Sequence, residues 1–151
     1  MTDSRDDAEL LRQPIGYWTW AVGKTVLAYA RARLAAIGVT QPQWWVLNHV
    51  VGSGDGVTRD ELLAANQDNL DVGAGLAPEI DVLLERKLLV RGDDDRLRIT
   101  DEGRELRDRA AGIQRANREK VTEGITEEEY LTTVKVLRRM TRNVGADVPD
   151  V

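Results

Sequence analysis

Leu83-Leu84-Glu85-Arg86-Lys87-Leu88-Leu89-Val90-Arg91 and, after five intervening residues, Leu97-Arg98-Ile99-Thr100-Asp101-Glu102-Gly103 decide the fold of this chain. In the first stretch Leu83 and Leu84 continue a helical face begun by Ile80, and Lys87 closes that helix. Leu88 to Arg91 and Arg96 to Ile99 read as two short strands around the turn Gly92-Asp93-Asp94-Asp95. Thr100 or Asp101 then opens a long helix through Leu106, Ala110, Ile113 and Val121. The segment is thus a helix, a small hairpin and a second helix.

The same reading extends in both directions. Gly73, Gly75 and Pro78 place the start of the hairpin-proximal helix near Ala77, with Pro78 tolerated in its first turn. Thr58-Arg59-Asp60-Glu61 is a capping box that opens a short helix with Leu62, Leu63 and Ala65. Gly52-Ser53-Gly54-Asp55-Gly56 is a turn. Thr40-Gln41-Pro42-Gln43 is another capping box, ahead of an apolar face of Trp44, Leu47, Val50 and Val51. From Pro14 to about Gly38, Ile15, Trp18, Val22, Val26, Ala30 and Leu34 recur near helical spacing, while Met1 to Arg12 is expected to fray. Thr126-Glu127-Glu128-Glu129 begins a last helix with Leu131, Val134, Leu137, Met140 and Val144. The expected fold is mainly α with a small β-hairpin. The long end helices either pack within one monomer or pair with a second chain.

The two opening stretches resemble the MarR (multiple antibiotic resistance regulator) family of winged helix-turn-helix proteins. In that family a Leu-Glu-basic-basic-Gly-Leu-Val-Arg segment ends the recognition helix, and Leu-Thr-x-x-Gly leaves the wing. Here Leu88 is read as standing where the family has Gly, and the wing is shorter. The resemblance spans nearly the whole chain, as a single domain over residues 1–151. It implies a homodimer with residues 14–38 and 101–145 as dimerisation helices and 40–100 as the winged helix lobe. It also implies transcription regulation through double-stranded DNA, commonly relieved by a small aromatic ligand held where the dimerisation helices meet the lobe. Arg59, Arg86, Lys87, Arg91, Arg96 and Arg98 are then the candidate DNA contacts.

Charge opposes that reading. Asp60 to Glu85, 26 residues, contains seven carboxylates and no Lys or Arg. Glu79 and Asp81 fall on the expected recognition helix, and Pro78 is expected to shorten it. Residues 52–100 have a balance of −5, which equals the net charge of the whole chain. DNA affinity rests on cations that neutralise phosphates, and base reading leans on Arg, Lys, Asn and Gln. Two further readings therefore stay open. One is a winged helix scaffold that has lost DNA binding and serves as a small-molecule binding protein or a repurposed pocket enzyme. The other is an interaction module whose acidic lobe docks on a basic partner.

Composition narrows the remaining chemistry. The chain has no Cys, which removes disulfides, thiol nucleophiles and thiolate zinc sites. It has a single His, no Gly-rich phosphate loop and no metal-ligand spacing, and Asp93-Asp94-Asp95 reads as a solvated turn. No cofactor and no metal are expected, and catalysis would have to rest on His49, Tyr17, Tyr29 or nearby carboxylates. No long apolar run suggests a membrane span, so a cytoplasmic protein without a membrane partner is expected. All four tryptophans lie between Trp18 and Trp45, and Phe is absent. Tyr17, Trp18, Trp45 and His49 are the candidate ligand residues, with Gln43 and Asn48 as polar neighbours. The same aromatics could equally anchor a core or a dimer interface. Arg31 and Arg33 could meet an acidic ligand or an acidic partner.

Overall fold

The structure is a computed structural model and describes residues 4–66 and 75–147. Among these the order is α1 Ser4–Leu10, α2 Ile15–Ala35, α3 Gln41–Gly52, α4 Arg59–Ala65, α5 Leu76–Glu85, β1 Leu89–Arg91, β2 Leu97–Ile99, α6 Asp101–Val121 and α7 Glu127–Asn143. The chain divides into two units, Met1–Arg115 and Ala116–Val151, with the boundary inside α6. The expected fraying of the N-terminus is corrected by α1, whose first turn carries Asp6 and Asp7, charges that favour a helix N-terminus. The break expected at Gly73 lies outside the described residues.

Three threonines start three helices by the same device. Thr40, Thr58 and Thr126 each accept the backbone N–H three residues on, at 3.1–3.2 Å, and Gln43, Glu61 and Glu129 return a side-chain bond to the cap. Each cap is worth about 1 kcal/mol. α2 has no such cap and begins at Pro14, which presets an N-terminal backbone angle. Its apolar stripe changes character along its length. Ile15, Trp18 and Val22 are exposed, Val26 and Ala30 are half-buried, and Leu34 is fully buried. Only the C-terminal end of α2 is therefore tied into a core.

That core belongs to the first unit. Leu47 of α3, Leu62 of α4, Ile80 and Leu83 of α5, and Leu97 of β2 are all buried to 1% exposure or less. Full burial of such side chains stabilises by about 1.5–3 kcal/mol each. β1 and β2 pair antiparallel with Val90 opposite Arg98, and Val57, just before α4, bridges to Leu97 as a third rung. The rung is made by Val57 N–H to the Leu97 carbonyl at 3.1 Å and the reciprocal bond at 2.7 Å. Gly56 permits it, since its φ is 92° and a Cβ there would meet the Leu97 oxygen at 2.9 Å.

The base of the hairpin is closed by backbone. Lys87 N–H donates to Leu84 O and Leu88 N–H to Leu83 O, both at 3.0 Å, with Lys87 at φ 59°. This is a Schellman termination, which puts a left-handed residue first and an apolar residue after it to pack on the helix. The position suited to glycine is therefore Lys87, not Leu88; Leu88 is the buried apolar partner, 6% exposed. Across the hairpin, Thr100 Oγ1 donates to Lys87 O at 2.7 Å and accepts Gly103 N–H at 3.0 Å. Gly103 itself packs directly on the Leu88 carbonyl, leaving no space for a Cβ. The Thr-x-x-Gly spacing thus has a steric origin: helix α6 starts against the end of α5.

In the second unit α7 buries no residue. Tyr130, Leu131 and Met140 are exposed, and Arg118 lies 5.6 Å over the Tyr130 ring. No helix among the described residues is long and apolar enough to cross a membrane.

Candidate nucleic-acid interface

α4, α5 and the hairpin carry all six cations picked out by sequence, and the structure assigns partners to five of them. Arg59 makes a two-pronged contact with Asp81, at 2.6 and 3.2 Å, and also donates to Ala77 O at 3.2 Å. The hydrogen bond from Arg59 holds the Asp81 carboxyl below the usual carboxylate range, and Asp81 raises the guanidinium. Arg98 grips Asp94 the same way, at 3.0 and 2.7 Å, and that bond pulls the Asp94 carboxyl far down. Arg91 lies 3.6 Å from Asp95. Arg96 lies 3.7 Å from Glu61 and donates to Gly56 O at 3.1 Å. Arg86 donates to Gly38 O at 2.8 Å and to Gln43 Oε1 at 3.3 Å. The Lys87 side chain is exposed and makes no hydrogen bond or ion pair among the described residues.

The two acids that weighed against groove entry are engaged as well. Asp81 is paired with Arg59, and Glu79 Oε2 accepts Gln43 Nε2 at 2.7 Å and Thr40 Oγ1 at 3.2 Å. Gln43, only 5% exposed, is the hub of this arrangement. Its Oε1 takes Thr40 N–H at 3.1 Å and Arg86, while its Nε2 reaches Glu79, so one α3 amide clasps both ends of α5. Sequence reading found the Thr40–Gln43 cap but placed Gln43 in an aromatic cleft; the structure turns it to α5. Pairing across 36 and 43 residues leaves no local spacing to reveal it. Asn48 is also elsewhere, accepting Arg107 Nη2 at 3.0 Å.

The aromatic candidates fall into two pairs. Tyr17 and Trp18 meet edge-on with centroids 5.4 Å apart, and Trp18 Nε1 donates to Gln13 at 2.7 Å. Trp45 stacks on His49 at 5.0 Å, half-buried on α3. The described residues show no ring contact between the two pairs. Arg33 lies 5.9 Å over Tyr29, and Arg31 lines a groove of about 250 Å³ with Ala35, Val39 and Pro42. No group of three or more metal-binding side chains is assembled among the described residues.

No protein-family model matches the chain, and no curated protein matches it in sequence. Solved structures do match. A MarR family transcriptional regulator from Rhodococcus sp. RHA1 is 26% identical over 93% of this chain and 96% of its own, with a TM-score of 0.66. CouR from Rhodococcus jostii RHA1, solved with p-coumaroyl-CoA, is 26% identical over 92% and 98%, with a TM-score of 0.67. A Mycobacterium tuberculosis MarR family protein solved with DNA shares the fold at 23% identity over 89% and 99%, with a TM-score of 0.64. Element order and matches along nearly the whole length agree: the chain has the winged helix-turn-helix fold of the MarR family's transcription regulators.

Proposed function

We propose that this chain is a cytoplasmic, homodimeric MarR-like transcription regulator that binds double-stranded DNA and responds to a small aromatic ligand. The observation that carries the reading is the lobe itself: a capped α4, a clasped α5 and a hairpin with Arg59, Arg86, Lys87, Arg91, Arg96 and Arg98 distributed over them. Of the two α5 acids that argued against DNA, Asp81 is paired with Arg59, which lowers its weight as a repeller, while Glu79 keeps its charge and is turned toward Gln43 and Thr40. A solved relative of this fold holds DNA and another holds an aromatic acyl thioester, and both support the reading.

In this reading residues 1–151 act as one regulator domain, 40–100 as the winged lobe, and 14–38 with 101–145 as dimerisation helices. The exposed Ile15, Trp20, Tyr130 and Leu131 on α2 and α7 support burial against a second copy. Tyr17, Trp18, Trp45 and His49 are the proposed ligand residues.

Fluorescence anisotropy with duplex from the gene's own upstream region, titrated with salt, tests the DNA reading. Saturable binding that resists competitor DNA and falls linearly on a log–log salt plot is expected. Absence of binding at low salt would overturn it. For the ligand, an aromatic carboxylate is expected to quench tryptophan emission, and Trp45→Ala to weaken that response. An unchanged response in Trp45→Ala would remove α3 from the site.

A further inference from the structure

The wing tip holds an arrangement that DNA binding alone does not call for. Arg98 on β2 presents two parallel N–H groups to Asp94, at 3.0 and 2.7 Å. Asp94 is in turn pinned to the turn backbone, its Oδ1 accepting Arg96 N–H at 3.2 Å. Gly92 makes room for the pair, because a Cβ there would stand 2.5 Å from Arg98 Nη1 and 2.7 Å from Asp94 Oδ1. A guanidinium fork fits carboxylate and phosphate by the same geometry. The donors that a phosphate would use are therefore already occupied. The neighbouring Asp93 is exposed and takes no hydrogen bond or ion pair among the described residues.

We propose that Asp94 is a built-in competitor for DNA at the wing: its carboxylate occupies the phosphate-binding fork of Arg98, and binding exchanges carboxylate for phosphate. The proposal rests on the DNA-binding reading above. The exchange leaves Asp94 without its counter-charge, so it takes up a cation from solution. Net ion release on DNA binding then falls by about one relative to a wing whose arginine is free. Both partners are partly exposed, at 41% and 49%. Exposed pairs are weak, so the competition lowers affinity several-fold rather than by orders of magnitude.

The test compares Asp94→Asn with Asp93→Asn in the full chain. Each removes one negative charge from the same turn, but only Asp94→Asn frees an arginine, and Asn retains an acceptor for Arg96 N–H. Anisotropy with the upstream duplex is measured from low to physiological salt. Asp94→Asn is expected to bind roughly two- to five-fold tighter than Asp93→Asn, with a log–log salt slope steeper by about 0.9. In an Arg98→Ala background the advantage of Asp94→Asn over Asp93→Asn is expected to vanish. Binding by all forms with equal affinities and slopes for the two Asn variants overturns the competitor alone. Failure of the wild type and both variants to bind at low salt overturns the DNA reading, and the competitor falls with it.

Discussion

The two ends of one small hairpin are held by different physics. At its base, Leu88, Leu89 and Leu97 are buried, Thr100 bridges to the Lys87 carbonyl, and Gly103 lies against the Leu88 backbone. At its tip, Gly92 to Asp95 sits in water and is held by turn bonds and by arginine–aspartate pairs. The base leaves little freedom at Thr100 and Gly103, where a change brings an unpaired carbonyl or a steric clash. The tip tolerates change cheaply, and its charges pair with one another in water, where such pairs exchange readily. A binding element is thus mounted on a rigid hinge plate with its adjustable part outermost.

The largest effect is expected where the contrast is steepest. Gly103→Ala should destabilise the protein by about 3 kcal/mol, since the new methyl meets backbone that cannot swing away. Denaturant unfolding would read it, and a loss similar to that of an ordinary surface alanine would break the distinction between base and tip. Thr100→Val keeps the shape but removes the bond to Lys87 O and the acceptor for Gly103 N–H. It should cost about 1–2 kcal/mol by the same measurement. Lys87→Gly runs the other way. Relief of a left-handed conformation should stabilise by up to about 1 kcal/mol while removing one cation from the lobe, so thermal stability rises as DNA affinity falls. Movement of both in one direction would show that the side chain matters more than its backbone.

The smallest effect belongs to the tip. Asp94 has its folded value lowered by the Arg98 hydrogen bond, so its pairing contributes stability above the ordinary carboxylate range, about pH 4, and loses it as pH falls through the lowered value. The stability gap between wild type and Asp94→Asn should therefore be constant near neutrality and close below about pH 4. Unfolding midpoints across an acid series would show it; a gap that widens in acid would contradict the sign.

What sequence conveyed follows the same division. The capping threonines, the hairpin and the Thr100–Gly103 element were legible because helix starts and close backbone approaches admit few residue types. Leu88 misled because the resembling pattern has glycine at that position, whereas the left-handed residue here is Lys87, one place earlier, and only the Schellman bonds identify it. α1 was missed because seven polar-rich residues show no periodicity. The pairing of Arg59 with Asp81 and of Gln43 with Glu79 bridges helices far apart in the chain, and exposed charge has many possible partners. Counting acids along Asp60 to Glu85 does not register that Asp81 is paired with Arg59, a cation just outside that span. The sequence grouped the aromatics of α2 and α3 together; their division into an exposed edge-on Tyr17–Trp18 pair and a half-buried Trp45–His49 stack depended on which faces α2 and α3 turn inward.

Gln43 has a consequence beyond holding two helices together. An amide can be turned over, and in most settings either direction would serve. Here the Thr40 N–H demands the oxygen, so the nitrogen must point to residue 79 and the oxygen must also serve residue 86. A cap on one helix therefore dictates the order of signs along another, acceptor first and donor two turns later. That order, acid toward the N-terminus and base toward the C-terminus, is also the one a helix dipole favours. Exchanging Glu79 and Arg86 would reverse both, and no rotation of the amide could satisfy the swapped pair without abandoning the start of α3.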